Sequence, residues 1–119
     1  MPRFPRVVSP IATLFTRFGI DVVLVSIEVW PEHLVVRFAA SGDRAEKLGS
    51  DLLSPLEVAV EDDAGNTYSP RSSNTGGSGS EWHGDWFFAA AVPDSVRRLT
   101  VRVEAPYGKA AAVDVPLGA

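Results

Sequence analysis

A chain of 119 residues, 45% of them hydrophobic, suits one domain with its own packed core and hardly two. The net charge of −4 argues against the basic stripe of a nucleic-acid-binding protein and against adhesion to anionic membranes. The absence of cysteine excludes disulfides, thiolate chemistry, zinc ribbons and iron–sulfur ligation.

Along the chain, short β-rich runs alternate with turn residues, the pattern of a sandwich or barrel. The first run is Val7 to Phe15, with Pro10 inside it. Proline cannot donate to a ladder, so this run reads as an edge or bulged strand. The same N-terminal region is interrupted by Pro5, Ser9, Pro10, Thr13, Thr16 and Arg17, which leaves no continuous signal-peptide core. No run approaches the roughly 20 apolar residues of a membrane helix. As it stands the chain reads as cytoplasmic; an envelope or secreted domain trimmed of its export signal would read the same.

After Gly19 comes a long strand, Ile20 to Trp30. Strict alternation places Val23, Val25, Ile27 and Val29 on one face and Val22, Leu24, Ser26, Glu28 and Trp30 on the other. The second face is half apolar and half polar. It therefore calls for a cover, either the N-terminal segment through Val8, Ile11, Leu14 and Phe15 or a second molecule. The expected state is a monomer or a weak homodimer.

Pro31-Glu32 turns the chain into His33–Ala40, with Leu34, Val36 and Phe38 inward and Val35 and Arg37 outward. Ser41 to Pro55 is polar and loop-like, with about one helical turn over Asp43–Leu48 capped by Asp43 and stopped by Gly49. Leu56, Val58 and Val60 then face inward, and Asp63-Ala64-Gly65-Asn66 has hairpin-turn chemistry leading to a short strand at Thr67-Tyr68. Residues 69–80, SPRSSNTGGSGS, carry no apolar anchor and read as a flexible Gly/Ser-rich surface loop that is dispensable for folding. Trp82, Trp86, Phe88 and Ala90 face the core in the next strand, with His83 and Asp85 outward. Leu99, Val101 and Val103 follow in another strand, and Ala111, Val113, Val115 and Leu117 in the last. The reading is an all-β, antiparallel, immunoglobulin-like β-sandwich of seven to eight strands, a single domain over residues 1–119.

The motifs VVLVSIEVW (22–30), HLVVRFAA (33–40), VEDDAGNTY (60–68), GDWFFAAAVP (84–93) and LTVRVE (99–104) occur in that order. In this order the chain resembles the telokin-like immunoglobulin-fold domains of bacterial, actinobacterial-type proteins, over roughly Val7 to Leu117. The resemblance implies the sandwich fold and, for many members, the cell envelope. It brings no activity that can be carried over residue by residue, and the lipoprotein cysteine of exported members is missing here.

No nucleophile–base pair is visible, so no enzyme and no cofactor are expected. His33 and His83, each with a glutamate nearby in PEH and EWH, would need to meet across strands and recruit a carboxylate to hold a metal, and the reading is that they do not. Glu61, Asp62, Asp63 and Asn66 lack the ligand alternation of a calcium loop. The glycines of GGSG precede a strand rather than a helix and have no lysine nearby, so they make no phosphate cradle. Arg37, Arg97, Arg98 and Arg102 are balanced by Glu28, Glu57, Glu61 and Glu104, the composition of a cross-strand charge-paired face. Trp86 reads as core. Trp30 and Trp82 sit at strand ends beside His33 and His83. These four residues are the candidate binding surface, for an unknown protein partner or a stacked sugar. The function expected is a non-enzymatic binding or protein-interaction module, with a structural accessory domain as the alternative.

Overall fold

The computed structural model describes residues 6–42, 48, 51–78 and 81–117. The alternating runs form strands, and every described pairing is antiparallel. In chain order the strands are β1 (Arg6–Val8), β2 (Ala12–Arg17), β3 (Ile20–Val29), β4 (Leu34–Ser41), β5 (Glu57–Asp62), β6 (Thr67–Tyr68), β7 (Ser72–Ser78), β8 (Glu81–Phe88), β9 (Arg98–Ala105) and β10 (Lys109–Pro116). They build the expected all-β antiparallel sandwich. Sheet A runs β1-β3-β4-β8-β7, with β2 also on β3, and sheet B runs β10-β9-β5-β6. Successive hairpins are dealt to alternate sheets: β3–β4 to A, β5–β6 to B, β7–β8 to A, β9–β10 to B.

Among the described residues the count is ten rather than seven or eight, for two reasons. Pro10 splits the first run into β1 and β2, both paired with β3. The Gly/Ser segment 69–80, expected as a loop, instead supplies β7, which pairs with β8 without a register shift from Ser72↔Phe87 to Ser78↔Glu81. An edge strand needs only backbone pairing with its one neighbour, so side chains too small to anchor a loop still permit it. The helical turn expected over Asp43–Leu48 lies outside the described residues except for Leu48, which is helical, as are residues 51–53.

Alternation assigns the faces of β4, β5, β8 and β9 correctly. Leu34, Val36, Phe38, Val60, Phe88, Leu99 and Val101 are completely buried, and Trp86 is nearly so. In β3 it fails. Ile20, Val22 and Leu24 point into the core, and so do Ile27 and Val29. A register shift between Leu24 and Ser26 inserts one residue and inverts the parity, as a β-bulge does. The break at Pro10 faces this bulge, since Ala12 pairs with Leu24 and Val8 with Ile27. The half-apolar strip of Val22 and Leu24 therefore does not exist on the surface, and the homodimer interface expected there is corrected. Val8, Leu14 and Phe15 do pack against the core, while Ile11 stands 69% exposed.

Two turns have clear local causes. Phe18 (φ 54°) and Gly19 (φ 74°) give the two left-handed positions of a tight hairpin turn between β2 and β3. Tyr107, in the β9–β10 turn, packs edge-on against Phe15 at 5.9 Å and donates its hydroxyl to the Leu52 carbonyl at 2.8 Å. It thereby ties β2 and the helical segment to the end of sheet B.

Candidate functional site

The outer face of sheet A carries the densest chemistry among the described residues. Register puts Glu28 of β3, Val35 of β4 and Phe87 of β8 in one row, because Val35 pairs with both. The next row holds Ser26, Arg37 and Asp85. Arg37 spans the sheet, with Nε donating to Glu28 Oε2 at 2.7 Å and Nη1 to Asp85 Oδ2 at 2.9 Å. The other oxygen of Glu28 accepts from the Trp30 indole N–H at 3.1 Å. Trp30 stacks on His33 with centroids 5.4 Å apart and planes 11° from parallel, and His33 lies against Phe87 at 5.0 Å. The turn at Pro31-Glu32, closed by Trp30 N–H to the His33 carbonyl at 2.9 Å, sets this stack.

The result is a circuit, Asp85–Arg37–Glu28–Trp30–His33–Phe87, whose two ends lie two residues apart on β8, around the half-buried Val35. The Arg37 guanidinium, against the opposing effect of burial, holds the Glu28 carboxyl below the usual range, with help from the Trp30 N–H. The ion pairs organise this face more than they stabilise the fold. Arg37 keeps 42% of its side chain in solvent and Asp85 41%, and exposed pairs contribute at most about 1 kcal/mol. Arg37→Ala is accordingly expected to lower the unfolding free energy by less than about 1 kcal/mol in urea titration. A larger loss would mean that the circuit is a folding element.

The four residues read as one surface are separated. Trp30 and His33 belong to the circuit. His83 is exposed on the same face but four residues along β8 from Phe87, about 13 Å away, with Ala39 and Gly76 as its cross-strand neighbours. Trp82 points to the inner face beside Ala40 and Gly77, half-buried, and its indole N–H has no acceptor among the described residues. The two histidines do not meet, and no group of three possible metal ligands is found among the described residues. Phe87 was missed in the sequence. Its signal was parity, as it shares the outward set of His83 and Asp85.

The acidic run at the β5–β6 hairpin points three ways. Glu61 accepts from Arg102 Nε at 2.9 Å, and Asp63 accepts from the Arg97 backbone N–H at 3.2 Å. Asp62 is buried and organises its own turn. Its carboxylate accepts from the backbone N–H groups of Ala64 and Asn66 (both 2.9 Å), the Asn66 side chain (2.8 Å) and the Tyr68 hydroxyl (2.6 Å). No oxygen set converges on a cation. On sheet B, Glu57 sits directly opposite Glu104, and with Ala59 and Arg102 they line an open depression.

No protein family matches the chain, and no curated protein does. Among solved structures, the archaellum periplasmic stator protein FlaG from Sulfolobus acidocaldarius matches with a TM-score of 0.50 at 8% identity, over 81% of this chain and 99% of that one. At that identity the likeness is one of fold: this chain is similar to that all-β protein in architecture alone.

Proposed function

We propose that this chain is a non-enzymatic protein-interaction module that docks a partner on the outer face of sheet A. The observation that carries the reading is the Trp30–His33–Phe87 stack flanked by Glu28, Arg37 and Asp85 around Val35. Aromatic and arginine anchors around an apolar centre, rimmed by charge, are the composition of interface hot spots. The partner of this chemistry is a protein surface with an apolar or aromatic side chain for the Val35 centre and a polar group for the rim. The resemblance to telokin-like domains and the FlaG neighbour, itself described as a stator protein, fit a binding or structural role. A periplasmic or envelope setting agrees with both.

The test is site-specific photo-crosslinking in the native host, with a benzophenone side chain at His33 and, as control, at Ala112 on sheet B. A discrete adduct from position 33, absent from position 112 and lost on Arg37→Glu, is the expected result. Equal adducts from both positions, or none from 33, would sink the reading and leave a structural accessory domain.

A further inference from the structure

Sheet A ends on β7, the seven residues SSNTGGS, hydrogen-bonded to β8 on one side. In an antiparallel ladder alternate residues turn their N–H and C=O away from the neighbour, so β7, which has no second strand beside it among the described residues, holds out a row of backbone donors and acceptors. The other edges are interrupted. The opposite edge of sheet A is split at Pro10, and sheet B ends on the two-residue β6 and on β10, which runs into Pro116 beside β2. Proteins keep edges apart with charges, prolines and bulges. β7 has no charge, no proline and no register shift.

The occupant follows from what β7 lacks. A foreign strand added to an edge is selected by pockets for its alternating side chains. Serine, asparagine, threonine and glycine offer neither pocket nor charge for such selection. A second β7, by contrast, is self-complementary by symmetry. We propose that β7 pairs antiparallel with β7 of a second copy, about a two-fold axis at Thr75, so that two copies of sheet A become one continuous sheet.

In this register Thr75 faces Thr75, Asn74 faces Gly76, and Gly77 faces Ser73 of the second copy. The Gly77 row has a further feature. On β8 its neighbour is Trp82, and the indole lies over the glycine, since a Cβ on Gly77 would come within 3.0 Å of Trp82 Cγ and 2.7 Å of its Cα. No side chain stands between that indole and the serine brought by the second copy. The edge adjoins the aromatic circuit, since Ser72 pairs with Phe87 and Asn74 with Asp85, but an adduct from position 33 and a disulfide at position 75 read the two separately, so either proposal can fail alone.

Because one edge strand buries less than a standard interface, the dimer is weak, with a dissociation constant of about 0.1–1 mM. Sedimentation of the full chain across that range is expected to show the mean mass rising from monomer toward dimer. Asn74→Lys, a change at an exposed position, is expected to weaken association at least tenfold with an unchanged melting temperature. The chain has no cysteine, so Thr75→Cys supplies a single thiol. Residues directly opposite in a ladder lie about 4.5–5.5 Å apart at Cα, within disulfide range. Mild oxidation should therefore give covalent dimer from Thr75→Cys and little from Ala112→Cys. A wild-type chain that stays monomeric at about 1 mM, lysine-insensitive association, or equal crosslinking at both positions would each overturn the proposal.

Discussion

Replacing Asp62 by alanine is expected to lower the unfolding free energy by about 3 kcal/mol or more, a large share of the stability of a domain this small. The carboxylate accepts four hydrogen bonds inside the β5–β6 hairpin. Removing it strands two backbone N–H groups and the hydroxyl of Tyr68, which is itself only 8% exposed. Hydrogen bonds to charged groups contribute about 1.5–3 kcal/mol, and stranded buried donors add a cost of their own. The pH dependence separates this account from a simple cavity. Burial alone would raise the Asp62 pKa, but the donors from Tyr68, Asn66 and Ala64 outweigh it and hold the group at about 2, against an ordinary 3.8.

A carboxyl depressed in the folded state contributes stability that is fully present above its unfolded pKa and is lost as pH falls through the folded one. Here the loss falls between about pH 4 and pH 2 and amounts to about 2 kcal/mol. Tyr68 bounds the other side. Burial first, then its bond to Asp62, raises it from 10.0 to about 12. The neutral hydroxyl therefore supports the fold below about pH 10, and that support is lost as pH rises toward 12. Urea titrations of wild type and Asp62→Asn should differ most between pH 5 and 9 and converge near pH 2. A gap that persists unchanged at pH 2 would show that the charge is irrelevant.

Gly84→Val is expected to cost about 3 kcal/mol, and Gly84→Ala about 1–3 kcal/mol. Gly84 is buried in β8 between Thr75 and Trp86. A Cβ there would stand 2.6 Å from Trp86 Cζ3, 3.1 Å from Cη2 and 3.4 Å from Thr75 Cγ2. The indole cannot swing clear, because it is 3% exposed and packs edge-on against Phe38 at 5.1 Å. Backbone strain is not the cause, since Gly84 is absent from the positive-φ positions. Elsewhere, adding a Cβ to a compatible backbone stabilises by about 0.4–1 kcal/mol through the unfolded chain. The decisive measurement is a double-mutant cycle with Trp86→Leu. Once the indole is gone, Gly84→Ala should become neutral or stabilising, a non-additivity above about 1 kcal/mol. Additive costs would mean that the glycine matters for another reason.

Much of this fold was legible in the sequence, and the failures have physical causes. β4, β5 and β9 carry no inserted residue of their own, so period-two alternation reads directly as inside and outside. Alternation cannot show where a residue is inserted, and the single extra residue near Val25 reversed the sense of half of β3. Nor can it detect a strand such as β7, whose pairing is made by the backbone and whose side chains report nothing. At the candidate site, Trp30 and His33 were visible as aromatics flanking a tight turn, and Val35 and Arg37 as outward positions. What could not be read was that Asp85 and Phe87 come to lie beside them. That depends on β4 and β8 being neighbours across 48 positions of chain between Arg37 and Asp85.

The dealing of hairpins to alternate sheets bears on how the molecule comes into being. With β1 and β2 set aside, exchange β3–β6 with β7–β10, and both strand orders read the same from the opposite end. Each half of the chain thus owns one hairpin in each sheet, and the seams β4·β8 and β5·β9 join one half to the other. As the chain leaves the ribosome, its first half exposes the inward edges of β4 and β5, whose partners β8 and β9 lie in the second half. The seam of sheet A needs β8 through residue 88 and that of sheet B needs β9 through residue 105, so neither sheet is complete without the second half of the chain.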